Sequence, residues 1–332
     1  MCQLINGQTT GPVIHAQWGD WIHVTVHNKL TYNGTSIHWH GMRQLGTNEQ
    51  DGVNGVTECP LAPGASKSFM FQATQYGTSW YHSHHTAQYG QGVVGAIVID
   101  GPATADYDED LGVLPLTDWF YKTIWELLPG VMTIPGPPAE ADTVLVNGTM
   151  VDGNGHGQYA TMKVEPGKKY RLKFVNVAMN HLFHVSLDGH PFTVVSADFV
   201  PIKPYTTTDL KLNVGQRYEV IFETNQDVGN YWLRVNTPAL GPTGAAVCGH
   251  AAVYDKNTTV VGGIISYEGA DDSWPTSQGY ANDGSCRDEV TEPSFTTPMS
   301  GGYKLDMLNI TLSDDSAKVV NFFVNGSTMI SE

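Results

Sequence analysis

The sequence predicts an all-β protein: two tandem barrels or sandwiches, followed by the opening of a third. Three observations lead there. Val, Thr, Tyr and Trp recur in short runs punctuated by turn residues, with 36 Gly and 18 Pro among 332 residues, as expected of short strands joined by tight turns. Residues 19–28 (GDWIHVTVHN) match residues 167–176 (GKKYRLKFVN) without gaps, and residues 77–84 match residues 229–236. Each copy also opens alike, with Ile5-Asn6-Gly7 and then Val146-Asn147-Gly148, and the same opening returns at Val324-Asn325-Gly326. Such self-similarity marks a repeated structural unit.

The first unit covers residues 1–105 and the second 106–290, with 106–110 as the linker between them. Residues 291–332 hold a polar connector and the first strand of the truncated third unit. The chain is long enough for two cores. Residues 119–128 read as a short helix inside the second unit, and Cys2-Gln3-Leu4-Ile5 as a strand at the start, with no leader peptide before it. Five N-x-S/T sequons, at Asn33, Asn147, Asn257, Asn309 and Asn325, point instead to secretion. Together these describe an incomplete or processed chain.

A formal charge of −16 argues against a nucleic-acid or anionic-membrane partner. No apolar stretch is long enough to span a bilayer. The four cysteines lack zinc-ribbon spacing. Cys248 and Cys286 flank a loop-rich stretch and are placed to close a local disulfide, whereas Cys2 and Cys59 have no evident partners.

Chemistry concentrates in two pairs, His38-Trp39-His40 and His82-Ser83-His84, each in a strand-like run. On a strand, residues two apart share a face roughly 6.5–7 Å apart. Two such pairs on neighbouring strands bring four imidazoles into one volume, a spread that suits several metal ions better than one. Imidazole serves copper, zinc, iron and nickel. A zinc enzyme would use three of the four and leave a position open. A cupin site would need a Glu just after its H-x-H, but residues 43–46 read Arg-Gln-Leu-Gly. A copper cluster would need further imidazoles. The second unit keeps the strand framework while replacing all four histidines, so it keeps the fold without this site. His85 points away from His84. His181, His184 and His190 fall off the metal-bearing positions, and His15, His23 and His27 sit on ordinary polar strand faces. Trp39 and Trp80 are expected to face the core, away from the histidines.

His38-Trp39-His40-Gly41, Gln50-Asp51-Gly52-Val53, Thr57-Glu58-Cys59-Pro60 and residues 77–84 resemble the first two copper-binding motifs of multicopper oxidases. The likeness continues through Gln88-Tyr89-Gly90 and Asp188-Gly189-His190, and is to the laccases of filamentous ascomycetes. It implies tandem cupredoxin-like Greek-key β-barrels or sandwiches. It further implies His38 as a type 2 copper ligand, His40 and His82 on one type 3 copper, and His84 on the other. Asp51 matches an acidic residue near the cluster that could supply protons and tune bound water, although a turn role in Asp-Gly remains open. The implied reaction is one-electron oxidation of phenols or aromatic amines, coupled to reduction of dioxygen to water.

Two departures from that family stand out. Its substrate pocket carries an Asp or Glu where this chain has Asn180, and an amide cannot take up a phenol's proton. The H-x-x-H-x-H and H-C-H motifs, which supply the type 1 copper site and the remaining cluster ligands, do not occur in these residues. The cysteine that the family pairs with the counterpart of Cys59 lies near the far C-terminus, which leaves Cys59 free here. The resemblance therefore implies a third domain supplying those ligands, and little activity from this chain alone. A non-catalytic fragment with partial metal binding and a zinc enzyme remain the alternatives.

Overall fold

The computed structural model describes residues 3–133, 141–152, 154–240, 246–251 and 260–281, the backbone alone at 131–133, 238–240 and 246–251, and the strand backbones 310–314, 320–324 and 327–328. The expected pairing of Cys248 with Cys286 falls outside the described residues, as do Cys2, Asn257, Asn309 and Asn325.

The first unit is a small sandwich. Its strands are β1 (Gly11–Gln17), β2 (Trp21–His27), β3 (His38–His40), β4 (Ser66–Gln72), β5 (Gly77–His82) and β6 (Val94–Asp100). One sheet runs β1-β6-β5-β3, and β2 pairs with β4 to face it. In β2 and β4 the inward residues (Ile22, Phe69 and Phe71) alternate with exposed ones, the period of a half-buried strand. They close on Trp39, Tyr81, Ile97 and Ile99. Fully burying a side chain of this size stabilises the fold by about 1.5–3 kcal/mol.

The second unit repeats that plan on a larger scale. Its strands are β7 (Glu109–Trp119), β8 (Thr143–Val146), β9 (Ala160–Val164), β10 (Lys169–Asn176), β11 (Phe183–Leu187), β12 (Phe192–Ala197), β13 (Val200–Thr207), β14 (Leu210–Leu212), β15 (Arg217–Glu223), β16 (Asn230–Leu240), β17 (Ala246–Ala251) and β18 (Gly262–Tyr267). One sheet runs β13-β12-β15-β10-β7-β8, and the other β14-β11-β16-β18-β9, with β17 added to β16. Phe174, Phe183, Phe192 and Leu233 fill the space between them, all fully buried.

The sequence repeat is also a topological one. β2 corresponds to β10, β3 to β11 and β5 to β16. In the first unit His38 lies opposite His82, and the aligned Ser186 lies opposite Arg234 in the second. Each sheet also contains one parallel pair at the matching place, β1 with β6 and β9 with β18.

Three expectations shift in detail. The helix, α1, spans Ile124–Thr133 rather than 119–128. Trp119 is still in β7, and Thr123 with Glu126 forms a reciprocal cap that starts the helix later. Around the first repeat opening there is an isolated bridge, Ile5 to Gln8, instead of a strand through residues 2–5. Among the described residues of 291–332 there are three strands where the sequence predicts one: β19 (Ile310–Asp314), β20 (Val320–Val324) and β21 (Ser327–Thr328). Val324 pairs with Ser327 just as Ile5 bridges Gln8 and Val146 bridges Thr149.

Buried polar contacts join the two units. Glu219 of β15 accepts a hydrogen bond from Thr78 of β5 at 2.6 Å and pairs with Arg171 of β10. Arg217 donates from Nε to the Thr78 carbonyl and pairs with Asp198 at 2.8 Å. Glu219 and Arg171 are both buried, so removing one strands the other's charge. Glu219→Ala is expected to cost about 3–5 kcal/mol, read as a lower urea midpoint, with Glu219→Gln intermediate. Equal midpoints for Glu219→Ala and the parent chain would show that the clamp contributes nothing.

Candidate metal centre

β3, a short strand at the edge of its sheet, pairs antiparallel with β5, and their register sets the site. With His38 opposite His82, and His40 two residues along the same face, three imidazoles share one side of the sheet. Their ring centroids lie 5.3 Å (His38–His82), 5.5 Å (His40–His82) and 5.7 Å (His38–His40) apart. One ligand nitrogen from each falls within 4.8 Å of the others. His84 follows in a loop. It is exposed, and its ring is 5.5 Å from His38 and 6.0 Å from His82.

Hydrogen bonds fix which nitrogen each ring offers. His38 donates from Nδ1 to the Asp51 carbonyl at 2.9 Å, leaving Nε2 as the ligand atom. His82 donates from Nδ1 to the Ser83 carbonyl at 2.9 Å, again leaving Nε2. That Nε2 faces Nδ1 of His40 at 3.3 Å. The Nε2 of His40 instead points at Gly215 of the second unit, where an added Cβ would sit 3.1 Å away. Partners of this kind orient metal-binding imidazoles and fix their tautomers.

Asp51 acts here through both its backbone and its side chain. It follows a short 3₁₀ turn, Asn48–Gln50, and its carboxylate lies 3.4 Å from His38 Nδ1. The next residue, Gly52, has φ +79°, and a Cβ there would fall 1.8 Å from the Ile37 carbonyl oxygen. The Asp-Gly turn is therefore what brings Asp51 against His38.

The neighbours correct one expectation and add several residues. Trp39 is buried in the core as expected, against Phe69 and Phe71. Trp80 is not turned away from the histidines. It lies two residues before His82, hence on the same face, and stacks on His82 at 4.1 Å and His40 at 4.9 Å. The Tyr89 ring lies 5.4 Å from His82, and burial pushes its phenol up to about 12. Buried Gln88 accepts from Thr35 and Ser83 and donates to the Gly34 carbonyl, which pins the loop carrying His84. Arg217 presses its guanidinium on Gly41, where a Cβ would be 2.5 Å from Nη2. Gln88 lies in the Gln88-Tyr89-Gly90 run, whereas Arg217 carries no motif of its own and only the close Gly41 hints at it.

The other sequence candidates lie elsewhere. The Asn180 side chain is exposed at the end of β10's following loop, and its backbone N–H donates to buried Asp118 at 3.0 Å. His181 also reaches Asp118, His184 pairs with Asp209, and His190 bonds the Tyr267 hydroxyl. His85 packs near Gly34 and is outside the cluster. Cys59 is free and exposed. Asn33 and Asn147 are exposed. Among the described residues no helix is long and apolar enough to cross a membrane.

At the corresponding place in the second unit an ion pair stands where the imidazoles would. Asp188 aligns with His40 and Arg234 with His82. Arg234 makes a two-pronged pair with Asp188 at 2.7 Å from both Nε and Nη2, and Ser277 adds a hydrogen bond at 2.8 Å.

The donor set fits copper. Among the described residues it consists of imidazoles alone, with His82 buried and His38 and His40 half-buried, and with no carboxylate in the group to favour magnesium or calcium. Burial, reinforced by Arg217 and the other imidazoles, pushes His40 down to about 2. Burial pushes His82 down to about 3 and also lowers His84. The rings are thus neutral, as ligands must be.

Comparison with known proteins agrees with this geometry. Multicopper oxidase family models match residues 1–104 and 110–270. A laccase of Cryphonectria parasitica is 47% identical over 98% of this chain, which spans 54% of that protein. Laccase-3 of Botryotinia fuckeliana is 43% identical over 96% of the chain, which spans 70% of it. The crystal structure of the laccase from Botrytis aclada superposes with a TM-score of 0.83 at 39% identity, covering 96% of this chain and 59% of that one. The chain thus spans between about half and seven-tenths of these relatives' lengths.

The lowered histidines give a signed pH dependence. Unfolded, His40 and His82 titrate near 6.5; folded, they resist protonation down to about 2 and about 3. Their contribution to stability is therefore whole above 6.5 and declines as the pH falls below it. In the metal-free protein the urea midpoint is expected to drop between pH 7 and pH 5. A His40→Gln/His82→Gln variant should drop less over that interval. Parallel slopes for the two proteins would contradict the assignment.

Proposed function

The chain belongs to the multicopper oxidase family, and from that premise we propose that it carries the oxygen-side half of a laccase-like oxidase. The reaction is one-electron oxidation of phenols or aromatic amines, coupled to reduction of dioxygen to water. One observation carries this reading: the β3–β5 register turns His38, His40 and His82 to a common side, with His40 Nδ1 facing His82 Nε2 at 3.3 Å. In this reading His40 and His82 hold one type 3 copper, His84 the other, and His38 the type 2 copper. When bound, the copper ions supply one-electron chemistry, taking electrons from the organic donor and delivering them to dioxygen.

The chain's own residues orient and protect. Asp51 holds His38 through its carbonyl, and its carboxylate, 3.4 Å from the ring, keeps a proton-exchanging group beside the site. Trp80 covers the His40 and His82 rings and excludes water from that side. Units at 1–105 and 106–290 form the first two barrels, and 291–332 begin a third whose later residues supply the remaining ligands and the type 1 site. The sequons at Asn33, Asn147, Asn257, Asn309 and Asn325 fit a secreted protein. A three-ligand zinc site is the weaker reading, because it leaves the His84 ring, 5.5 Å from His38, without a task.

Metal analysis separates these readings. The chain expressed with copper is expected to retain copper through imidazoles, without the intense visible band of a copper thiolate. His82→Gln should lower the copper content several-fold. Stoichiometric zinc that copper does not displace would overturn the oxidase reading, and an intense thiolate band would overturn the assignment of a half-site.

Asn180 belongs to the substrate side of the same proposal. In the molecule bearing all copper sites, Asn180→Asp is expected to increase phenol oxidation as pH rises through the carboxylate range, leaving aromatic amines less affected. An unchanged phenol pH profile would remove Asn180 from the pocket.

A further inference from the structure

The outer face of the second unit's β16-β18-β9 sheet carries a groove of about 620 Å³ that the copper chemistry leaves unused. That volume lies within the range of small-molecule sites, roughly 300–1,000 Å³. Its floor follows from strand register. Ile264 and Ser266 of β18 lie beside Thr161 and Lys163 of β9, on one face of the sheet. Its wall is Trp274, an indole 53% exposed, set edge-to-face on Tyr159 at 5.4 Å. The wall is held in place: Asn230 donates from Nδ2 to the carbonyls of Asp271 and Ser273, at 2.9 and 2.8 Å, fixing the segment that leads to Trp274. Asp271, Asp272 and Lys163 supply charged groups around the same groove. An exposed flat aromatic ring ringed by carboxylates, amides and hydroxyls suits a pyranose, whose C–H face stacks on an indole while its hydroxyls find polar partners.

Asn147 lines this groove itself. It is an exposed residue in a tight two-residue turn, with φ +50° there and +76° at Gly148. The turn is closed by backbone hydrogen bonds between Val146 and Thr149 and tied to the first strand of the unit by Asn147 N–H to the Pro115 carbonyl at 2.8 Å. Asn147-Gly148-Thr149 is a sequon. We propose that the groove is the seat of an N-linked glycan carried by Asn147, with its inner sugars laid against Trp274. The glycan then covers an indole that would otherwise be bare, and gains a fixed direction from a rigid turn. This inference rests on secretion of the chain and not on the copper reading, so the two can fail separately.

The test uses the full chain secreted from a glycosylating host. Glycopeptide mass spectrometry is expected to find Asn147 occupied. Hydroxyl-radical footprinting should then find Trp274 several-fold less oxidised than in the same protein stripped of glycan under native conditions. Trp18, exposed on the first unit, serves as the reference and should not change. Thr149→Ala, which is never glycosylated at this site, should match the stripped protein. Trp274→Ala should release its Asn147 glycan to an endoglycosidase faster than the parent in the native state and equally fast when denatured. An unoccupied Asn147, or Trp274 oxidation indifferent to the glycan, would overturn the proposal. The second result would include protection of Trp274 by other parts of the molecule or by a free saccharide.

Discussion

The register of β3 against β5 is the constraint on which the rest depends. Because side chains alternate along a strand, a slip of β3 by one residue would send His38 and His40 into the core, turn Trp39 outward and part both imidazoles from His82 on β5. The core prevents that slip. Trp39 is fully buried against Phe69 and Phe71, and exposing it would forfeit about 1.5–3 kcal/mol of burial. The hydrophobic side of the sheet thus fixes the polar side. The Asp51-Gly52 turn then fixes His38, since no residue with a Cβ fits at Gly52 without displacing the Ile37 carbonyl.

The second unit tests this view from within the same chain. It has the same sheet order and the same register, yet a buried ion pair between Asp188 and Arg234 takes the place of the imidazoles. Such a pair gives little net stability when its desolvation is counted. It does satisfy the polar groups that a metal would otherwise satisfy, so the scaffold survives the loss of the site. Division of labour follows. The first unit carries the imidazole cluster, while the second braces it through Arg217 over Gly41 and Glu219 on Thr78.

Much of this was legible in the sequence, for identifiable reasons. The repeat exposed the strand framework because turn residues and alternation are local. The H-x-H pairs exposed the site because a two-residue spacing has one meaning on a strand. Trp80 departs from the expectation that it faces away from the histidines, because its two-residue spacing from His82 puts it on the ligand face. Gln88 stands in the Gln88-Tyr89-Gly90 run, but its hold on Gly34 depends on the fold, and Arg217 carries no sequence signal because it acts on Thr78 and Gly41, far away in the chain.

The central claim is that the face of β3 and β5 turned away from the core gathers imidazoles for copper. An anomalous difference map, recorded at the copper absorption edge from crystals of the copper-loaded chain, tests it most directly. The account predicts a peak bonded to both Nδ1 of His40 and Nε2 of His82, with His38 Nε2 directed to the same volume. Copper peaks elsewhere, with those two nitrogens still bonded only to each other, would contradict it.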